Sequence, residues 1–82
     1  MRKNMIATHK IDNIQFSANL FILEVNGKRY ELNLNEVSKK LLHANEIERN
    51  FFKISPSGYG IHWPLIDEDL AVDSLIVKGR AD

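Results

Sequence analysis

The dipeptide Asn26-Gly27, set between two runs of alternating apolar residues, constrains this chain more than any other feature. Both residue types tolerate the positive φ angles of a type I′ turn, whose twist matches that of the strands it joins. Leu20-Phe21-Ile22-Leu23-Glu24-Val25 leads into the turn and Lys28-Arg29-Tyr30-Glu31-Leu32 leads out of it. Phe21, Leu23 and Val25 fall on one face, and Tyr30, Leu32 and Leu34 continue the alternation beyond the turn. Such a pattern predicts a β-hairpin with one buried face.

The flanking segments fit around that hairpin. Looser alternation from Met5 to Phe16 sets Met5, Ala7 and His9 against Ile6, Thr8 and Lys10. It predicts a strand, broken near Asp12-Asn13, that pairs with the hairpin. Asn33 or Asn35 can cap a helix, because the short side-chain oxygen accepts a free N–H of the first turn. Leu34, Val37, Leu41 and Ala44 then recur on one helical face, and Asn45 or Asn50 ends the helix. Phe51–Ile54 reads as a strand, Ser55–Gly58 as a turn, and Tyr59–Trp63 as a strand stopped by Pro64, which lacks the N–H a ladder requires. From Asp67 to Lys78 the acids come first and the lysine last, the order a helix dipole favours, so a short helix or pair of turns is expected. The element order β-β-β-α-β-β-α defines an α+β domain: a small antiparallel sheet with helices packed on one face.

Bulk properties narrow the function classes. The 82 residues suffice for one domain, spanning residues 1–82, with a thin core. Without a cysteine there is no disulfide or thiolate metal site, which suits a reducing compartment. Eleven basic and eleven acidic side chains cancel, so the field that draws proteins to nucleic acid is missing. The halves differ mildly: residues 1–40 hold seven basic and four acidic groups, residues 41–82 four and seven. No apolar run reaches the roughly 18–20 residues needed to span a membrane, and Met1-Arg2-Lys3-Asn4-Met5 is not followed by a signal peptide's apolar stretch. A cytoplasmic protein without membrane association is expected.

Residues 58–76 carry a more specific pattern: Gly58-Tyr59-Gly60-Ile61-His62-Trp63-Pro64, then Asp67-Glu68-Asp69-Leu70, then a segment closing at Leu75-Ile76. This resembles the signature of a bacterial family catalogued as domain of unknown function 2442, whose C-terminal half carries Gly-x-Gly-Ile-x-Trp-Pro followed by acids, a leucine and a short helix. The hairpin and capped helix of residues 20–44 resemble that family's N-terminal half, so the likeness covers nearly the whole chain. The resemblance implies no activity and no catalytic residues, because none are known for the family. It implies short bacterial proteins, some joined to a helix-turn-helix segment and often encoded beside another small protein, as in a toxin–antitoxin pair. This chain is expected to have no room for an added DNA-binding segment, since its last helix ends within a few residues of Asp82.

Gly58, Gly60, Trp63, Pro64, Asp67, Asp69 and Leu70 form the structural signature. Trp63 is expected in the core, where its ring removes more apolar surface from water than any other side chain available. Asp67, Glu68 and Asp69 are adjacent, without the dispersed oxygen ligands or glycine-bearing loop of a calcium site, and read as caps of the final helix. His9, His43 and His62 show no metal-site spacing, and a solvent-facing role is expected for such isolated histidines. Ser55, Ser57 and Ser74 sit in turn or cap contexts, and Gly58-Tyr59-Gly60 lacks the lysine and following helix of a phosphate loop. Neither a metal nor a cofactor is expected. Lys39, Lys40 and His43, with Lys28 and Arg29 at the hairpin tip, form the best surface for an anionic partner, diluted by Glu36 and Glu46. Leu42 lies off the Val37–Leu41 stripe, either flanking the core or offered to a partner.

The partner-binding candidates are therefore Lys39, Leu42, His43 and His62. A non-enzymatic protein-binding or regulatory module is expected, antitoxin-like toward a small protein encoded nearby. One alternative is a homo-oligomer assembled through the edge of the first or last strand; another is a nucleic-acid-associated regulator. An enzyme would require a pocket joining His62 to the Asp67–Asp69 acids.

Overall fold

A computed structural model describes residues 9–81. The hairpin forms as the sequence dictates, with strand β2 (Leu20–Val25) paired to β3 (Lys28–Asn33) and Val25 opposite Lys28. Asn26 and Gly27 both take positive φ, 54° and 80°, the type I′ geometry. Strand β1 (Ile11–Ser17) pairs with β2, and its register slips between Ile11 and Asn13, where the break was expected. The expected alternation over Met5–Thr8 lies outside the described residues. A short strand β7 (Arg80–Ala81) adds to β3, giving the order β1-β2-β3-β7.

Between Asn33 and Asn50 the single helix expected from periodicity is three: α1 (Leu34–Val37), α2 (Lys39–Leu42) and α3 (Glu46–Asn50). Periodicity identified the buried stripe, since Leu34 and Leu41 are enclosed, but capping chemistry decided the breaks. Ser38 adopts extended backbone, φ −158°, and its hydroxyl oxygen accepts the Leu41 N–H. That local bond offers the chain an alternative to continuing the helix. Asn45 does the same for α3 through a capping box, its side chain accepting from the Glu48 N–H while the Glu48 carboxylate accepts from the Asn45 N–H. Asn33 caps α1, accepting from the Asn35 N–H at 2.9 Å.

The second half departs further from expectation. β4 (Lys53–Ile54) and β5 (Gly60–Trp63) pair as foreseen, and a turn follows at Pro64. Glu68 and Asp69, expected as helix caps, instead open a strand, β6 (Glu68–Ala71), that pairs with β5; Asp67 lies in the preceding turn with φ 52°. The final helix α4 (Val72–Lys78) begins later, and its N-cap, Ala71, makes no side-chain bond. The antiparallel α+β character holds, but the strands divide into a four-stranded sheet and a three-stranded sheet, β4-β5-β6. The acids serve the edge strand: the Glu68 carboxylate accepts the Asp69 N–H at 3.0 Å and the Ser38 hydroxyl.

One core joins the two sheets. Phe21, Leu23, Val25, Tyr30 and Leu32 come from the large sheet, Ile61 and Trp63 from the small one, Leu34 and Leu41 from the first helices, and Val72 and Leu75 from α4. Trp63 is fully enclosed, edge-on to Phe21 at 6.1 Å, and donates its indole N–H to the Arg49 carbonyl at 2.9 Å. The Arg49 guanidinium donates to the carbonyls of Leu41, Leu42 and Ala18 and lies 5.5 Å from the Phe16 ring. It thus holds the end of α2 and the β1–β2 turn together.

His9 departs from the solvent-facing expectation. Its side chain is 9% exposed; Nε2 lies 2.6 Å from Asp73 and Nδ1 3.0 Å from the Asn26 amide nitrogen. The Asn26 carbonyl oxygen is occupied by the Lys10 N–H, so its amide nitrogen donates to Nδ1 and the ring proton sits on Nε2, toward Asp73. The His9 backbone donates to Ser57, and its carbonyl would lie 1.8 Å from a Cβ placed on Gly58, whose φ is +71°.

Two stability outcomes follow. Gly58→Ala combines that collision with a left-handed backbone and is expected to lower unfolding free energy by about 2–4 kcal/mol, whereas Gly27→Ala, with open space around it, costs about 1 kcal/mol. Arg49→Met removes three charge-assisted bonds and is expected to cost about 2–4 kcal/mol, and Arg49→Lys, lacking the planar fork, to recover less than half. Urea titration followed by Trp63 fluorescence measures all four.

Candidate functional site

Strand alternation places two different faces on the small sheet. Ile61 and Trp63 turn inward and are buried. His62 and Gly60 therefore turn outward. Across the strands Lys53 stands opposite His62 and His62 opposite Asp69, while Gly60 stands opposite Ala71. The outward face thus carries one charged row, Lys53-His62-Asp69, and one low row containing Gly60 and Ala71. Tyr59, 54% exposed, and Ile54, 40% exposed and paired with the inward-facing Ile61, add apolar surface at the margin of this face. Together these residues line an open groove of about 540 Å³.

The turn before β5 is fixed by Ser55, whose hydroxyl oxygen accepts the N–H groups of Tyr59 and Gly60 at 2.9 and 3.0 Å. Its role is the local backbone bonding expected of a turn serine. His62 Nδ1 lies 2.7 Å from Asp69 Oδ1. The carboxylate accepts only, so neutral His62 carries its proton on Nδ1 and leaves Nε2 as an acceptor.

His62 and Asp69 thus share a groove, which is part of what an enzyme reading required. The rest is not assembled there. Glu68 is committed to Ser38, and Asp67 contributes its carbonyl to Lys40 Nζ at 2.9 Å. The side chains of His62 and Asp69 are 40% and 75% exposed, so water rather than a dry cleft surrounds them. No hydroxyl among the described residues bonds His62, and no group of three or more potential metal ligands is found among them. The arrangement can hold a polar or apolar group; it does not place a nucleophile beside a base.

The other candidates are dispersed. Lys39 and His43 are exposed on and just beyond α2, and Leu42 is half-buried, packed against the core. None of the three lines the groove that contains His62. Arg29 at the hairpin tip is engaged by Glu31 at 3.3 Å, which weakens the basic surface expected there. Of the signature residues, Gly58 and Trp63 are buried, Pro64 is half-buried in the turn after β5, and Asp69, Gly60 and Leu70 lie at the groove. Sequence reasoning missed Lys53, Ile54, Tyr59 and Ala71. Alternation along β4 and β5 would have put Lys53 and Gly60 beside His62, but Ala71 and Asp69 were hidden once the acids were read as helix caps.

A second hollow, about 570 Å³, is lined by Glu31, Glu36, Lys78 and neighbouring side chains, with neither histidine nor an aromatic ring. Among the described residues no helix is long and apolar enough to cross a membrane.

Compared with known protein families, residues 11–81 match the model of a family described as protein of unknown function (DUF2442). No curated protein and no solved structure matches the chain.

The His62–Asp69 pair makes a spectroscopic prediction. In wild type, long-range ¹⁵N correlation spectra of neutral His62 are expected to show the Nδ1–H tautomer; in Asp69→Ala the ring reverts to the mixture of free histidine. Stability should change by less than about 1 kcal/mol, as for exposed pairs.

Proposed function

This chain belongs to the DUF2442 family, and from that premise we propose that it is a non-enzymatic module whose work is to bind a small protein partner. The carrying observation is the open groove at the small sheet, where the low Gly60–Ala71 row and the charged Lys53, His62 and Asp69 are bordered by the exposed side chains of Ile54 and Tyr59. An apolar centre with a polar rim is the anatomy of a protein-docking surface. Tyrosine suits such a site because it offers a large rigid contact at little entropic cost.

Charge supports a protein over a nucleic acid. The chain is neutral overall, Arg29 is engaged by Glu31, and Lys40 is bonded to the Asp67 carbonyl. Net neutrality weakens the field that phosphate binding draws on, and these two contacts tie down part of the expected basic surface. Self-assembly through β6 is disfavoured by its own side chains, because the Asp69 N–H is occupied by Glu68 and two carboxylates line this edge strand. The partner class that the family resemblance implies is a small protein encoded beside this one in an antitoxin-like arrangement.

Co-expression with the product of the adjacent gene, followed by size-exclusion chromatography, tests the reading. Co-elution is expected, weakened by Tyr59→Ser at an unchanged melting temperature. Consistently separate elution of the wild-type pair counts against it.

A further inference from the structure

The two glycines of the signature have different reasons to be glycine. Gly58 explains itself: its backbone is left-handed and a Cβ would strike the His9 carbonyl at 1.8 Å. Gly60 does not. It lies in β5, a Cβ there would meet nothing nearer than the Leu70 carbonyl oxygen at 3.5 Å, an ordinary contact, and its φ is not left-handed. Glycine inside a strand gives up side-chain packing and adds entropy to the unfolded chain. The fold therefore has room for a side chain at Gly60 and would be firmer with one. The remaining physical reason for a bare strand position is close approach from outside.

That bare position faces the groove, opposite Ala71, with the exposed Tyr59 ring as its chain neighbour. The charges in the groove are unevenly answered. Asp69 is met by His62 at 2.7 Å, whereas Lys53, next to His62 across the strands, has no ion-pair partner among the described residues. An incoming group is thus asked for apolar bulk over Gly60 and negative charge beside Lys53.

We propose that Gly60 is the contact point of the groove, receiving from the partner protein an apolar side chain flanked by a carboxylate that pairs with Lys53. This deepens the docking-module reading above and rests on it. The chain's own Ile47, exposed between Glu46 and Glu48, has similar chemistry, so a second copy is the competing occupant.

The test uses two pools of capped hexapeptides, each with a central Leu or Phe, flanked by Asp in one pool and Lys in the other. Titrations are followed in ¹⁵N–¹H spectra of the whole chain. The Asp pool is expected to move the amides of Gly60, His62 and Ala71 and to bind about two- to five-fold tighter than the Lys pool, the range of an exposed ion pair. Lys53→Gln should make the pools equal, and Gly60→Val should abolish binding of both. Gly60→Ala should melt no lower than wild type, which separates a blocked site from a damaged fold. The proposal is overturned by absent shifts, shifts centred elsewhere, equal pools on wild type, or undiminished binding by Gly60→Val. Concentration-dependent shifts of the groove amides in the chain alone assign the site to a second copy and overturn it too. A complex with the adjacent gene product that survives Gly60→Val removes this inference and leaves the docking module standing.

Discussion

The fold depends on one indole ring and the arginine that receives it. The two sheets share no strand pairing among the described residues, so their relative position rests on side-chain packing and on local bonds such as that from the His9 N–H to the Ser57 carbonyl. Trp63 reaches from β5 to Phe21 of β2 and to Phe52 before β4, and its one polar atom is satisfied by the Arg49 carbonyl. Arg49 then spends its guanidinium on three backbone carbonyls, at the end of α2 and in the β1–β2 turn. An unpaired indole N–H or a set of orphaned helix-end carbonyls would each oppose folding. Here the same pair of residues satisfies both needs, and in doing so fastens the small sheet to the large one.

How much of this was legible in the sequence varies with the range of the interaction responsible. The hairpin was legible in full, because Asn26-Gly27 and the alternating strands are local and mutually consistent. The enclosure of Trp63 followed from its size and from the thinness of the core. The break at Ser38 was written locally too, as a capping residue, but the apolar stripe from Leu34 to Ala44 outweighed it; Asn45 was expected as a possible helix end, and its capping box starts a further helix instead. The acids failed for a different reason. Asp67-Glu68-Asp69 before an apolar run is a good helix start, and only the pairing of β6 with β5 makes it a strand. The groove inherited that failure, since one wall of it, Asp69, Leu70 and Ala71, comes from β6. The ties of His9 to Asn26 and Asp73 and of Arg49 to Ala18 span 17 to 64 residues and leave no local trace.

The acidic segment also shows how one set of charges can serve several structural ends. Glu68 answers the one buried polar side chain found among the described residues, Ser38, and occupies a backbone donor on the edge of the small sheet. Asp69 orients His62 on the outward face. Asp67 permits a left-handed turn at modest strain and offers its carbonyl to Lys40. A neutral protein with a mildly acidic second half therefore gives each of these carboxyl-bearing residues a structural partner, with Asp69 alone of the three lining the groove.

The subdivision of the 34–50 segment has a consequence for how the molecule comes apart. Helices of four, four and five residues fall far below the length at which a helix persists alone in water. Their order is borrowed from Leu34, Leu41 and the Arg49 clamp, all of which presuppose both sheets. Neither half can retain native secondary structure once the other is lost. Cooperativity in this chain is thus enforced by the shortness of its parts: proteolytic fragments should be unstructured, and slowly exchanging amides of both sheets should share a single opening free energy.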